Sequence, residues 1–71
     1  MSRVWEYIER DKKLRLVIEE DSNVGYYLII YPIDSNKSLK DYLCDTFDEA
    51  VSEAKESYCI SETSWKLIKE V

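Results

Sequence analysis

Residues 21–32 read DSNVGYYLIIYP, and the rest of the chain arranges itself around this stretch. Asp21-Ser22-Asn23-Val24-Gly25 combines side chains that bond their own backbone with a glycine that tolerates positive φ, so a turn is predicted. Tyr26–Pro32 (YYLIIYP) follows as the strongest strand in the chain. Its two faces are Tyr26, Leu28, Ile30 and Tyr27, Ile29, Tyr31. Both faces are apolar, which suits a central strand covered on each side. Pro32 closes the strand because it has no N–H to give to a ladder.

Working outward, Arg3–Arg10 (RVWEYIER) alternates apolar and polar residues around two aromatics and predicts a strand. After a polar break at Asp11-Lys12, Lys13–Glu20 (KLRLVIEE) places Leu14, Leu16 and Ile18 on one face and Arg15, Val17 and Glu19 on the other. A hairpin joins these two runs. On the other side, Ile33–Lys37 reads as loop, and Leu39–Cys44 (LKDYLC) as a short fourth strand.

Thr46 and Glu49 then form a T-x-x-E capping box, and Asp48 and Glu49 sit at the positive end of the helix dipole. Phe47, Ala50, Val51, Ala54 and Tyr58 recur at helical spacing, and the two alanines allow close approach to a sheet. The helix is expected to end near Tyr58. Cys59 stands where a left-handed glycine is usual, and Ile60 supplies the hydrophobic contact after the cap. Ser61–Thr63 is a polar connection. Ser64–Ile68 (SWKLI) is the last strand, with Trp65 and Leu67 inward and Lys66 and Ile68 outward. The order β-β-β-(β)-α-β predicts one α+β domain over residues 1–71: an antiparallel sheet of three to five strands with one helix packed on one face.

Composition removes most common chemistry. The chain has no histidine, so imidazole bases, Ser-His or Cys-His nucleophiles and His-liganded metals are excluded. Its single glycine excludes a Gly-rich phosphate loop or dinucleotide fingerprint. No catalytic set, cofactor site or metal site is found. Cys44 and Cys59 lack the partners of a disulfide framework or zinc site and read as reduced thiols. Met1–Arg10 carries no apolar run of signal-peptide type, and Val24–Ile33 is too short to span a bilayer. A cytoplasmic protein without a membrane partner is expected.

The net charge of −5 is unevenly distributed: residues 1–15 carry +2 and residues 16–71 carry −7. Such a surface repels phosphate backbones, so nucleic acid is not an expected partner, although Tyr and Trp residues near Arg3, Lys13 and Arg15 would suit base stacking. A cationic protein would be attracted.

Two surfaces remain as candidates for binding. One helix cannot cover both sides of a sheet, so the face bearing Val17, Tyr27, Ile29 and Tyr31, with Trp5 and Tyr7 from one parity of the first strand, is expected to meet a protein partner or a second copy. The alternative is the outer helix face and its approach, Asp45, Glu49, Glu53 and Glu56, as an acidic docking surface.

Thr46-Phe47-Asp48-Glu49-Ala50, continuing to Ala54, resembles the T-x-x-E-A-x-x-x-A helix start that follows the third strand in HicB-like antitoxins. Leu14–Tyr58 is similar to their strand-strand-strand-helix unit, with Pro32-Ile33-Asp34-Ser35 where those proteins carry a Pro-Gly-Cys-type turn. With Tyr58, Ile60 and Trp65 included, the chain also resembles short uncharacterised bacterial domains. The first resemblance implies an antitoxin or immunity-type inhibitor docking on a basic nuclease. The residues themselves imply a small non-enzymatic interaction domain acting through a sheet face or an edge strand, with self-association as one mode.

Overall fold

The computed structural model describes residues 2–61 and 65–70. Along them run β1 (Arg3–Glu9), β2 (Leu14–Asp21), β3 (Gly25–Pro32), β4 (Lys40–Cys44), α1 (Phe47–Tyr58) and β5 (Lys66–Glu70). The strands form one antiparallel sheet in the order β4-β3-β2-β1-β5. The expected α+β architecture is therefore present, and the fourth strand is real.

Two hairpins set the register. Between β1 and β2 the turn takes four residues, Arg10–Lys13, closed by Lys13 N–H donating to the Arg10 carbonyl at 3.2 Å. Lys13 is left-handed, with φ 56°. This pairs Glu9 with Leu14, Tyr7 with Leu16 and Trp5 with Ile18. Between β2 and β3, Asn23 N–H donates to Asp21 Oδ1 at 2.8 Å, as an Asx turn requires. Gly25 has φ +126°, and a β-carbon there would strike the Cys44 carbonyl oxygen on β4. Conformation and close approach both demand glycine at this position.

The helix boundaries follow their caps. Thr46 Oγ1 accepts from Glu49 N–H at 3.1 Å. The return bond differs from a standard capping box, because Glu49 Oε2 accepts from Asp45 N–H, at 2.8 Å, rather than from Thr46. At the other end Cys59 is left-handed (φ 61°, ψ 34°), as the sequence predicts. Cys59 N–H donates to the Lys55 carbonyl at 3.0 Å, the single bond of an αL cap, and Ile60 N–H donates to the Ala54 carbonyl at 3.4 Å. Ile60 completes it by burying its side chain in the core.

Leu16, Ile18, Leu28 and Ile30 from the sheet meet Ala50, Val51 and Ala54 from α1, together with Cys44 and Ile60. The helix lies over β2, β3 and β4. Topology explains this one-sided cover: β4 and β5 are opposite edges, and the chain crosses from one to the other along a single face.

The last strand is shifted from its expected frame, Lys66–Glu70 instead of Ser64–Ile68. Ser64 and residues 62 and 63 of the expected connection lie outside the described residues. Trp65 packs against the core as expected. Leu67 pairs with Trp5 yet stays 45% exposed, because α1 does not extend over β5. The β1–β5 register shifts between Val4 and Trp5, a bulge that takes up Ile68.

Candidate functional site

Because side chains alternate along a strand, the register assigns the uncovered face residue by residue. Three cross-strand rows run over it. The first contains Leu43, Tyr27, Glu19, Val4 and Lys69. The second contains Asp41, Ile29, Val17, Glu6 and Lys66. The third contains Tyr31, Arg15 and Ile8, and Leu39 extends it, since its N–H donates to the Ile30 carbonyl at 2.7 Å.

Val17, Tyr27, Ile29 and Tyr31 thus lie together on the side away from α1, where the sequence places them. Val17 is only 5% exposed although it is separate from the helix-side core, so its own neighbours enclose it. Tyr27, Ile29 and Tyr31 are half-buried. On β4 and just before it, Leu43 and Leu39 are open to solvent at 59% and 64%. Among the described residues no element covers this face.

Trp5 and Tyr7 are on the other side. Their pairing with Ile18 and Leu16 puts both against the core, and Trp5 stacks on Phe47 at 4.4 Å between ring centres. Val4 and Ile8 occupy the open face in their place. The alternation of β1 is apolar on both parities, so the four-residue turn and its register decide the matter. Sequence reasoning missed Val4, Ile8, Leu39 and Leu43, all of which follow once register is known.

Charged groups in the rows are partly organised. Arg15 Nη1 lies 3.5 Å from Glu6 Oε2, and its guanidinium sits 4.2 Å from the centre of the Tyr31 ring. This holds the Arg15 head against the aromatic surface. The Glu19 carboxylate makes no hydrogen bond or ion pair among the described residues.

A second polar cluster, unforeseen from the sequence, lies on the helix side at the far end of the sheet. Arg3 grips Glu20 with two bonds, Nε to Oε1 at 3.2 Å and Nη2 to Oε2 at 3.0 Å, and Tyr26 O–H donates to Oε2 at 3.1 Å. The Arg3 bond, reinforced by Tyr26, holds the Glu20 carboxyl below its ordinary value. Near the helix end, Tyr42 and Tyr58 share a 3.4 Å hydrogen bond between hydroxyls. That bond, with partial burial, pushes the Tyr58 phenol up to about 12.

The acidic surface has its own shape. Asp48, Glu49, Glu53 and Glu56 line a groove of about 390 Å³ with Ser52 of α1 and Leu43 and Cys44 of β4. Asp45 stands beside it, on the approach to the helix. Two of these carboxylates also serve the helix: Glu49 caps it, and Glu53 accepts from Ser57 Oγ. Burial, then the charges of Glu49, Glu53 and Asp45, pushes the Cys44 thiol up. Among the described residues no group of three or more carboxylates and thiols is arranged to hold a metal ion. No helix among them is long and apolar enough to cross a membrane.

The chain matches no family model, no curated protein and no solved structure.

Proposed function

We propose that this chain is a non-enzymatic protein-interaction domain that works through the open face of its sheet. The observation that carries this reading is the set Val4, Ile8, Val17, Tyr27, Ile29, Tyr31, Leu39 and Leu43, assembled on one face by register and left without cover among the described residues. Aromatic and aliphatic side chains held rigidly by a sheet lose little conformational entropy on binding, and they are typical anchors of protein interfaces. The edge strand β4 and the residue before it extend the same surface through Leu43 and Leu39.

A second reading has its own support. The acidic groove between α1 and β4 suits a cationic protein, so an antitoxin or immunity-type inhibitor docking on a basic nuclease is the alternative.

One experiment separates them. Association of the purified chain, with itself and with proteins of its source cell, is measured by light scattering and quantitative capture at low and high salt. The first reading expects Tyr31→Glu to abolish association while the melting transition persists, and association of the unsubstituted chain to be retained in high salt. Association lost in high salt and unaffected by Tyr31→Glu would overturn that reading in favour of the acidic groove.

A further inference from the structure

The open face has a symmetry that the chain does not need for its own folding. About the central row Asp41–Ile29–Val17–Glu6, which Lys66 of β5 extends, β4, β3 and β1 place residues of like character on either side. On β4 and its approach the order is Leu39-Asp41-Leu43; on β3 it is Tyr31-Ile29-Tyr27; on β1 it is Ile8-Glu6-Val4. On β2 it is Arg15-Val17-Glu19. There the flanking residues carry opposite charges.

We infer that a second copy of this chain docks face to face on the open sheet, about a two-fold axis running across the strands along the central row. The inference rests on the open face being the working surface and adds the identity of its partner.

A two-fold axis in that position lays each flanking row on the other row of the partner. Leu39 meets Leu43 of the second copy, Tyr31 meets Tyr27, and Ile8 meets Val4. Arg15 meets Glu19, twice per dimer. Ile29 meets its own equivalent at the centre, where apolar self-contact is favourable, and Val17, enclosed by its neighbours, supports it from beneath. A different axis for a face-to-face pair runs along β2. It would set Arg15 on Arg15 and Glu19 on Glu19, so charge selects between the two. Arg15 is already positioned by Glu6 and Tyr31, whereas the Glu19 carboxylate has no partner among the described residues. Glu6, Asp41 and Lys66 face like charges across the axis, Lys66 as an exposed residue of the edge strand β5. Glu6 has its own Arg15 at 3.5 Å, and Asp41 is an exposed rim residue screened by salt.

Size sets the affinity. Five strands about 4.8 Å apart and five residues of about 3.4 Å rise give a flat area of about 400 Å² per copy. That is small for a specific interface, and association on the order of 10 µM is expected.

Sedimentation equilibrium across the micromolar range tests the inference with Arg15→Glu, Glu19→Arg and their mixture. The unsubstituted chain is expected to dimerise. Each variant alone places like charges across the axis twice and is expected to weaken dimerisation at least about ten-fold. Mixed together, they restore opposite charges at both contacts, and a one-to-one heterodimer is expected to recover. Native mass spectrometry resolves that species by its mass. Should Arg15→Glu fail to fold through loss of its Glu6 contact, Arg15→Gln replaces it, because the mixture still pairs one Glu19 with one Arg15.

A chain that stays monomeric throughout that range, or variants whose mixture fails to recover, overturns the second copy as occupant. Ile29→Asp separates this from failure of the underlying reading. If another protein binds the monomer and Ile29→Asp abolishes that binding, the face is the working surface but its occupant is different. If the chain dimerises and Ile29→Asp leaves dimerisation intact, the face itself is excluded.

Discussion

Cys59 and Lys13 hold left-handed backbone conformations that disfavour any residue with a β-carbon, and Gly25 holds a positive φ that glycine alone adopts readily. The strain at the first two differs in origin. Cys59 closes α1, and its N–H and that of Ile60 satisfy carbonyls of the last turn. Left-handed geometry costs a non-glycine residue about 1–2 kcal/mol, whereas glycine gives up about 0.5–1 kcal/mol in chain entropy on folding. Cys59→Gly is therefore expected to stabilise the fold by about 0.5–1 kcal/mol, raising the melting midpoint by roughly 2–8 °C. A thermal melt under reducing conditions checks it, and a lowered midpoint would mean that the thiol contributes something besides backbone geometry. The Cys59 conformation was readable from the sequence because the apolar stripe stops at Tyr58 and Ile60 stands ready as the contact. Lys13 was not readable: lysine carries no turn signature, and only the pairing of Glu9 with Leu14 exposes the extra loop residues.

Between strands, the Arg3–Glu20–Tyr26 cluster ties β1, β2 and β3 together beside the Trp5–Phe47 contact, with the Arg3 guanidinium 5.1 Å from the Trp5 ring centre. Because the fold lowers the Glu20 pKa, it favours the ionised carboxylate. That stabilisation is present above the carboxyl's unfolded pKa and is lost as pH falls through its folded value. Glu20→Gln is thus expected to lower the denaturation midpoint near neutral pH, and the difference from the unsubstituted chain should vanish in strongly acidic buffer. An equal difference at both extremes would show that the cluster acts through packing instead of charge. The cluster also marks where sequence reading stops. Helix, turns and the central strand are local: a capping box, an Asx turn and the run YYLIIYP each carry their own signal. The side to which β1 turns Trp5 and Tyr7 is not local, since Val4, Glu6 and Ile8 make an equally plausible inner face until loop length fixes the pairing. The same holds for β5, whose bulge shifts its frame. Tyr27, Ile29, Tyr31 and Val17 could be placed on one face because the parities of β2 and β3 are constrained by their neighbouring turn.

Across the whole sheet the cover is graded, and stability should follow it. β2 and β3 sit centrally, contribute Leu16, Ile18, Leu28 and Ile30 to the core, and lie beneath α1. β4 is an edge strand, but α1 packs on it and Cys44 anchors its end. β5 is the opposite edge. Every residue from Lys66 to Glu70 is exposed, and β1 is its pairing partner. Lysines at 66 and 69 and the bulge at Ile68 discourage further strand addition there, a common way of blunting an edge. A strand with little apolar burial opens locally at low free energy, whereas central strands exchange through near-global unfolding. Native-state hydrogen exchange is therefore expected to rank β2 and β3 slowest, then β4, with the hydrogen-bonded β5 amides exchanging at least about 100-fold faster than those of β2. The gradient should persist at protein concentrations where a second copy occupies the open face, because face-to-face packing adds no backbone bonds at the outer side of β5. Equal protection of β5 and β2 would make the last strand part of the cooperative core. Trp65, packed on Tyr7 at 6.4 Å between ring centres, would then be the contact that ties it in.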